Sequence, residues 1–356
     1  RVGLPIAKLL VDLSAATMIG SLALALWAFA SRERAYLRSI DIAAAAALVM
    51  TLASAVTGFL TFLNVSLTPF SADAKFGNQL GFFFTSIQLG QAWLITTLLA
   101  AFVAVLCIAV TNQTALFFVG LAAVGTLVPM ALQGHSAGVS GHAMAITSMG
   151  LHLVFVSVWL GGVLTLILLR GIIDADRLPV IVSRFSTLAI IAFIVVAISG
   201  VANAMVRIGN FDALVGTPYG QLVLAKVAAM VVLGAFGFWQ RGFLVKRMTG
   251  AATQKMFWWF IALELIIMGV AAGVAAGLAR TPTPVSETLN QNPTPAEILT
   301  GSPLPPEFTI ERYFTVWNFD LIWLLFCGFA IFFYLVGVYR LHKRGDKWPW
   351  YRTVLW

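Results

Sequence analysis

Nine separate apolar runs of about 20 residues or more restrict the folds open to this sequence. They lie near residues 6–30, 40–64, 86–110, 114–133, 142–169, 184–206, 220–240, 256–279 and 317–339. A run of that length crosses the hydrocarbon core of a bilayer as a helix, and a helix satisfies its own backbone in lipid. Only 10% of the residues are charged, against about 25% in soluble domains. We therefore predict an all-α, polytopic transmembrane helical bundle of about nine spans.

The basic residues predict how this bundle is oriented. The loops at 31–41, 170–184, 241–255 and 340–352 hold three, three, four and five of the 22 lysines and arginines. Cytoplasmic loops of membrane proteins carry such an excess. The pattern predicts an extracytoplasmic N-terminus and a cytoplasmic C-terminus. It also explains the net charge of +8 without a nucleic-acid partner.

A proline-rich segment divides the chain. Seven prolines fall within residues 280–316, a composition typical of an extended linker. We predict an eight-helix membrane domain at 1–279, an extracytoplasmic linker at 280–316, and the first helix of a second membrane domain at 317–356. The chain begins at Arg1 without a methionine, so we expect an upstream segment. One helix is not a domain, so we also expect the second membrane domain to continue.

The stretch from His135 to Gly162 holds three of the four histidines. His135 falls in a predicted outer loop and His142 at the outer end of the fifth span. At 1.5 Å per residue, Met149 and His152 lie roughly 10 and 15 Å deeper, on one helix face with His142. Imidazole and thioether groups are ligands that copper accepts. The spacing predicts a metal site of His135, His142, Met149 and His152 that leads inward from the outside.

Structural explanations stand beside this hypothesis. Methionine often fills gaps in a core, and a single histidine in a membrane can simply hydrogen-bond between helices. Three histidines within 18 residues favour function, because polar groups in spans are costly. The Trp-Leu-Gly-Gly sequence at 159–162 predicts close helix packing rather than chemistry.

Further polar or sulfur-containing side chains are predicted to form a second shell or a pathway. Asp12 and Lys226 both lie roughly 10 Å below the predicted outer surface and would pair if their helices touch, although Lys226 could also extend outward. Glu264 lies nearer the cytoplasmic side, where a neutral acid hydrogen-bonded to a neighbour is favoured over a proton or ion pathway. The full set is Asp12, Met130, Asn203, Met205, Lys226 and Glu264.

Several motifs resemble the copper-resistance D (CopD) family of bacterial membrane proteins. The order of His142, His152 and the Trp-Leu-Gly-Gly sequence is similar. So are the later motifs RFSTLA at 184–189, SGVANA at 199–204, TPYG at 217–220 and LARTPTP at 278–284. The resemblance implies copper handling at the extracytoplasmic face of the bacterial cytoplasmic membrane, commonly described as uptake.

The C-terminal residues resemble a second family. Trp317-Asn-Phe-Asp, the sequence from Tyr334 to Arg340, and Trp348-Pro-Trp are similar to the opening of CtaG-type cytochrome oxidase assembly proteins. Actinobacterial proteins that resemble this chain join the two domains. The resemblance implies a role in assembling the copper centres of an oxidase.

The leading hypothesis is a non-enzymatic protein of copper transport or delivery. Its expected partners are the copper ion, the lipid bilayer, and an extracytoplasmic copper chaperone or respiratory oxidase. A haem-binding electron-transfer protein is one alternative, but the sixth to eighth spans contain no histidine to complete an axial pair. An accessory subunit of a respiratory complex is another. The sequence lacks the motifs of ATP-driven pumps, intramembrane zinc proteases and covalent haem c proteins.

Overall fold

The computed structural model describes residues 3–67, 69–132, 142–244, 251–285, 294–295, 307, 309–315, 321–343 and 345. All regular secondary structure in these ranges is helical. A π-helical turn, Gln240–Leu244, follows the tenth helix. The α-helices are α1 (Gly3–Trp27), α2 (Arg34–Ser66), α3 (Ala74–Ser86), α4 (Gln88–Ala109), α5 (Gln113–Gly125), α6 (Val128–Leu132), α7 (His142–Leu169), α8 (Leu178–Ile208), α9 (Phe211–Gly216), α10 (Pro218–Trp239), α11 (Ala251–Leu278), α12 (Ile310–Thr315) and α13 (Leu321–Lys343).

Within the described residues, eight helical segments are long and apolar enough to cross a membrane, with α5 and α6 together forming one of them. They coincide with the first eight predicted spans, so the prediction of a polytopic helical bundle is confirmed. The ninth predicted span corresponds to α13, which is helical but is not among these eight. Most of the predicted linker at 280–316 lies outside the described residues, so the division into domains stays a prediction.

The amphipathic helix α3 lies between the second and third predicted spans, where no helix is predicted from the sequence. The Asp73 carboxylate accepts a hydrogen bond from the Phe76 backbone N–H at 2.7 Å and caps the first turn. Phe76 and Phe83 pack against Phe62 of α2, with ring centroids 5.4 and 5.6 Å apart. The cap and this aromatic contact explain why a short helix forms beside the bundle.

The buried core is concentrated in the first half of the chain and in α7. Large side chains that are fully buried include Met18, Tyr36, Met50, Leu116 and Leu166. Helices α8, α10 and α11 instead leave many large apolar side chains exposed. In a chain with eight membrane-crossing helices, such surfaces are suited to contact with lipid.

Helices α1 and α7 cross with their backbones in direct contact. A Cβ atom added to Gly20 would overlap the backbone of Gly161, and one added to Gly161 would overlap the carbonyl group of Ala16. Near this crossing the hydroxyl groups of Ser21 and Thr165 form a buried hydrogen bond of 2.8 Å. The close helix packing predicted from the Trp-Leu-Gly-Gly sequence is confirmed.

Polar contacts tie the end of α1 to the start of α8. The Trp27 indole N–H donates to the Arg184 carbonyl oxygen at 3.0 Å, and the Arg184 guanidinium donates to the Ala28 carbonyl oxygen at 3.3 Å. Arg177 donates to Glu33 at 2.7 Å in the loop between α1 and α2. These contacts hold the start of α8 beside the end of α1 and the loop that follows it.

Candidate functional site

Helix α7 carries the histidine stretch and begins at His142. His135 lies outside the described residues, and only the backbone of His142 is described. Met149 and His152 are half-buried, two to three turns into the helix. His142, Met149 and His152 therefore lie along one helix, while their role as ligands stays a prediction. His152 is the histidine of this stretch whose surroundings the structure describes.

His152 is held by a hydrogen bond to α8. Its Nδ1 lies 3.2 Å from the hydroxyl oxygen of the buried Ser199. That hydroxyl directs its single proton to the Val195 carbonyl oxygen at 2.6 Å, so its oxygen accepts from the His152 Nδ1–H. In the tautomer that this contact favours, the lone pair lies on His152 Nε2. Histidines that bind metals are commonly fixed through their other nitrogen in this way.

Asn203 extends the same face of α8 by one turn. Ser199 and Asn203 are four residues apart, which places them on one side of the helix. Between them, a Cβ atom added to Gly200 would lie 3.6 Å from His152 Cε1, so the ring rests against this part of α8. The Asn203 Oδ1 atom is buried without a hydrogen-bond partner in the described structure. A buried acceptor of this kind is costly unless something binds it.

Lys226 of α10 contributes a positive charge to these surroundings. It is half-buried and interacts electrostatically with His152 and with Arg207. His152, Asn203 and Lys226, which the sequence places on three different spans, therefore contribute to one region of α7, α8 and α10.

The structure does not bring Asp12 and Lys226 together as an ion pair, and the condition for that pair, packing of their helices against each other, is not met. The two carboxylate–cation pairs among the described residues do not include either side chain. Asp12 is exposed on α1, and its nearby charge is Lys8, one turn earlier. Helix α1 packs against α2, α5 and α7. Equal depth in the membrane did not bring the two side chains together, because Asp12 points outward from the bundle.

The two further methionines differ in placement. Met205 is 72% exposed on α8, away from the face shared by Ser199 and Asn203. Met130 is half-buried on α6 and packs against the core. Its neighbour Ala131 lies 3.8 Å from the position of a Cβ added to Gly150 of α7. Met130 is thus the better placed of the two for a role beside α7.

A second polar contact lies two turns further along α7. The Trp159 indole N–H donates to Glu264 Oε1 of α11 at 2.9 Å, and both side chains are 6% exposed. The hydrogen-bonded Glu264 thus has its partner on α7, which the sequence did not identify. Gln240 lies beside the same carboxyl group, but its Nε2 is buried and does not reach hydrogen-bond geometry with any described group. The Phe193 ring packs edge-on against Trp159 at 5.7 Å.

No group of three or more His, Cys, Asp or Glu side chains forms a metal site within the described ranges. Methionine is not one of these four residue types, and His135 and the side chain of His142 lie outside the described structure. The ligand set of His135, His142, Met149 and His152 therefore stays a prediction.

The chain matches known proteins along most of this architecture. Residues 1–145 match the family model for the copper resistance protein D-like N-terminal domain, and residues 179–278 match that for copper resistance protein D. The chain is also 33% identical over 185 residues to the copper transport protein CutJ of Bacillus subtilis (strain 168). That match covers 49% of this chain but only 32% of the relative. No solved structure matches the chain. By these comparisons, the chain is a multi-pass membrane protein with two segments that match family models of copper resistance protein D.

Proposed function

We propose that this protein binds copper at the predicted outer half of α7 and transports or delivers it at the bacterial cytoplasmic membrane. The observation that carries the proposal is the hydrogen bond from His152 to Ser199, which leaves His152 Nε2 as a ligand atom. The matched copper resistance domains on both sides of α7 and the similarity to a copper transport protein support the choice of metal.

The residues define a path for the ion. Copper meets His135 and His142 first and then passes to Met149 and His152 further along α7. Imidazole binds both copper oxidation states and thioether favours Cu(I). Asn203 offers a buried oxygen that can accept a hydrogen bond from a ligand or a bound water. These roles require binding and release rather than catalysis, so the protein is proposed not to be an enzyme.

The destination of the copper is a separate proposal. The motifs after Trp317 resemble oxidase assembly proteins, which supports delivery toward the copper centres of a respiratory oxidase. The partners would be an extracytoplasmic copper chaperone on the supply side and the oxidase on the receiving side. Co-purification of the tagged chain with oxidase subunits, lost when residues 317–356 are removed, tests this destination.

Copper binding by purified variants tests the main proposal. His142→Ala and His152→Ala should lower the copper retained per protein in competition with a Cu(I) chelator. His342→Ala is the matched control, because this exposed histidine lies near the end of α13. Unchanged copper binding in His152→Ala would show that His152 is not a copper ligand and would contradict the proposed site on α7. A Soret band in the visible spectrum of the wild-type protein would favour the haem alternative.

A further inference from the structure

The carboxyl group of Glu264 on α11 is buried, and it is not one of the proposed copper ligands. Trp159 donates to it at 2.9 Å, and Gln240 lies beside it with an unpaired amide nitrogen. An ionised carboxylate in such a place costs several kcal/mol unless a cation pairs with it. Trp159 and Gln240 together provide N–H donors that could stabilise a negative charge formed there.

No permanent cation is paired with Glu264 in the described residues. Helix α11 packs against α7, α10 and the π-helical turn. The titratable or charged side chains on these elements are His142 and His152 on α7, Tyr219 and Lys226 on α10 and Arg241 on the turn, while Lys255 lies on α11 itself. Arg241 is engaged by hydroxyl groups of α8, and His152 lies beyond Trp159 along α7.

We propose that Glu264 carries a proton and releases it when a copper ion binds at His152, so that the positive charge of the copper ion replaces that of the proton. This inference rests on the proposed function. In the step, the carboxyl O–H bond breaks, the proton passes to water, and the electron pair remains on the carboxylate. Copper forms no bond to Glu264 and keeps its oxidation state. The Trp159 N–H holds the resulting anion, and the Gln240 amide can turn to donate to it.

His152 and Glu264 are close enough for copper binding to change the proton affinity of Glu264 by a measurable amount. His152 and Trp159 are seven residues apart, which is about 10 Å along α7. Trp159 is the residue that contacts the Glu264 carboxyl group, and two unit charges about 10 Å apart change each other's binding roughly tenfold at an effective dielectric constant of about 20. By linkage, copper lowers the proton affinity of Glu264 and loss of the proton strengthens copper binding by the same factor. His152 contributes no proton of its own, because its Nε2 already carries a lone pair.

Copper affinity measured across pH tests the exchange. In the wild-type protein, the affinity for Cu(I) should rise with pH by roughly tenfold more than in Glu264→Gln. The glutamine can still accept from Trp159 but cannot ionise. Glu264→Asp keeps an ionisable group and should retain the pH dependence. Asp41→Asn is the matched control, because Asp41 is an exposed acid paired with Arg38, and it should behave as wild type. Equal pH dependence in wild type and Glu264→Gln would overturn the inference.

Infrared difference spectroscopy provides a test that does not depend on affinity. The wild-type protein should show the carbonyl stretch of a protonated carboxyl group that disappears on addition of Cu(I), and Glu264→Gln should lack it. A wild-type spectrum without this band overturns the inference even when copper binds. Absence of copper binding by the wild type overturns the proposed function and the release step with it, while the band alone still reports whether Glu264 holds a proton.

Discussion

The His152 imidazole on α7 and the Ser199 hydroxyl on α8 lie 3.2 Å apart, and this contact favours the tautomer in which His152 Nδ1 carries the proton. Ser199 is itself fixed, because it donates to the backbone of its own helix. A rigid acceptor orients the imidazole before any ligand arrives. This polar contact therefore joins two consecutive spans, α7 and α8, around His152.

Replacing Ser199 with alanine should weaken copper binding about 10- to 100-fold, the usual cost of losing a residue that orients a metal-binding histidine. The ring would lose its fixed tautomer and orientation. Chelator competition measures the effect. Ser183→Ala, an exposed serine on the same helix, is the control and should bind as wild type. Equal affinities for both variants would show that Ser199 does not orient a ligand.

A side chain at Gly161 should destabilise the bundle. Gly161→Ala forces a methyl group into the backbone of α1, and such overpacking typically costs about 1–3 kcal/mol. Thermal unfolding in detergent measures this cost. In Gly273→Ala the added Cβ meets nothing within 4 Å, so that variant should match or exceed the wild-type stability. A Gly161→Ala protein as stable as Gly273→Ala would contradict the described crossing.

Loss of the cap at Asp73 should loosen α3 without unfolding the spans. Asp73→Ala removes the acceptor for the Phe76 N–H, a change worth about 1 kcal/mol. Hydrogen exchange followed by mass spectrometry should show faster exchange in the peptide that contains Phe76. Asp176→Ala replaces an exposed acid in a distant loop and should leave that peptide unchanged. Slow exchange in both variants would argue against the cap.

The predicted orientation can be tested by labelling single cysteines. In a background with Cys107→Ser and Cys327→Ser, a membrane-impermeant maleimide should label Ala72→Cys in intact cells. It should label Asp176→Cys only after permeabilisation, because positive charges predict a cytoplasmic location for that loop. Both positions are exposed. The reverse labelling pattern would invert the topology and move the histidine cluster to the cytoplasmic face.

The sequence could predict the spans because hydrophobic length alone specifies them in lipid. It could not predict α3, whose 13 residues are too few to span and are stabilised by one aromatic face. Helical spacing gave the depth of each side chain but not which helices touch. For this reason the suggested pair of Asp12 and Lys226 is not found. The partners of two other side chains were not identified from the sequence: Ser199 lies 47 positions from His152, and Trp159 lies 105 positions from Glu264.

The crossing of α1 and α7 has a further consequence for the site. Most of α7 lies between the two segments that match the family models, yet its backbone touches α1 at Gly20. Rotation of α7 about its own axis would drive side chains into α1. The position of His152 is thereby tied to the N-terminal matched segment through the helix that carries it. Its hydrogen-bond partner Ser199 belongs to the other matched segment, so the surroundings of this one histidine depend on both.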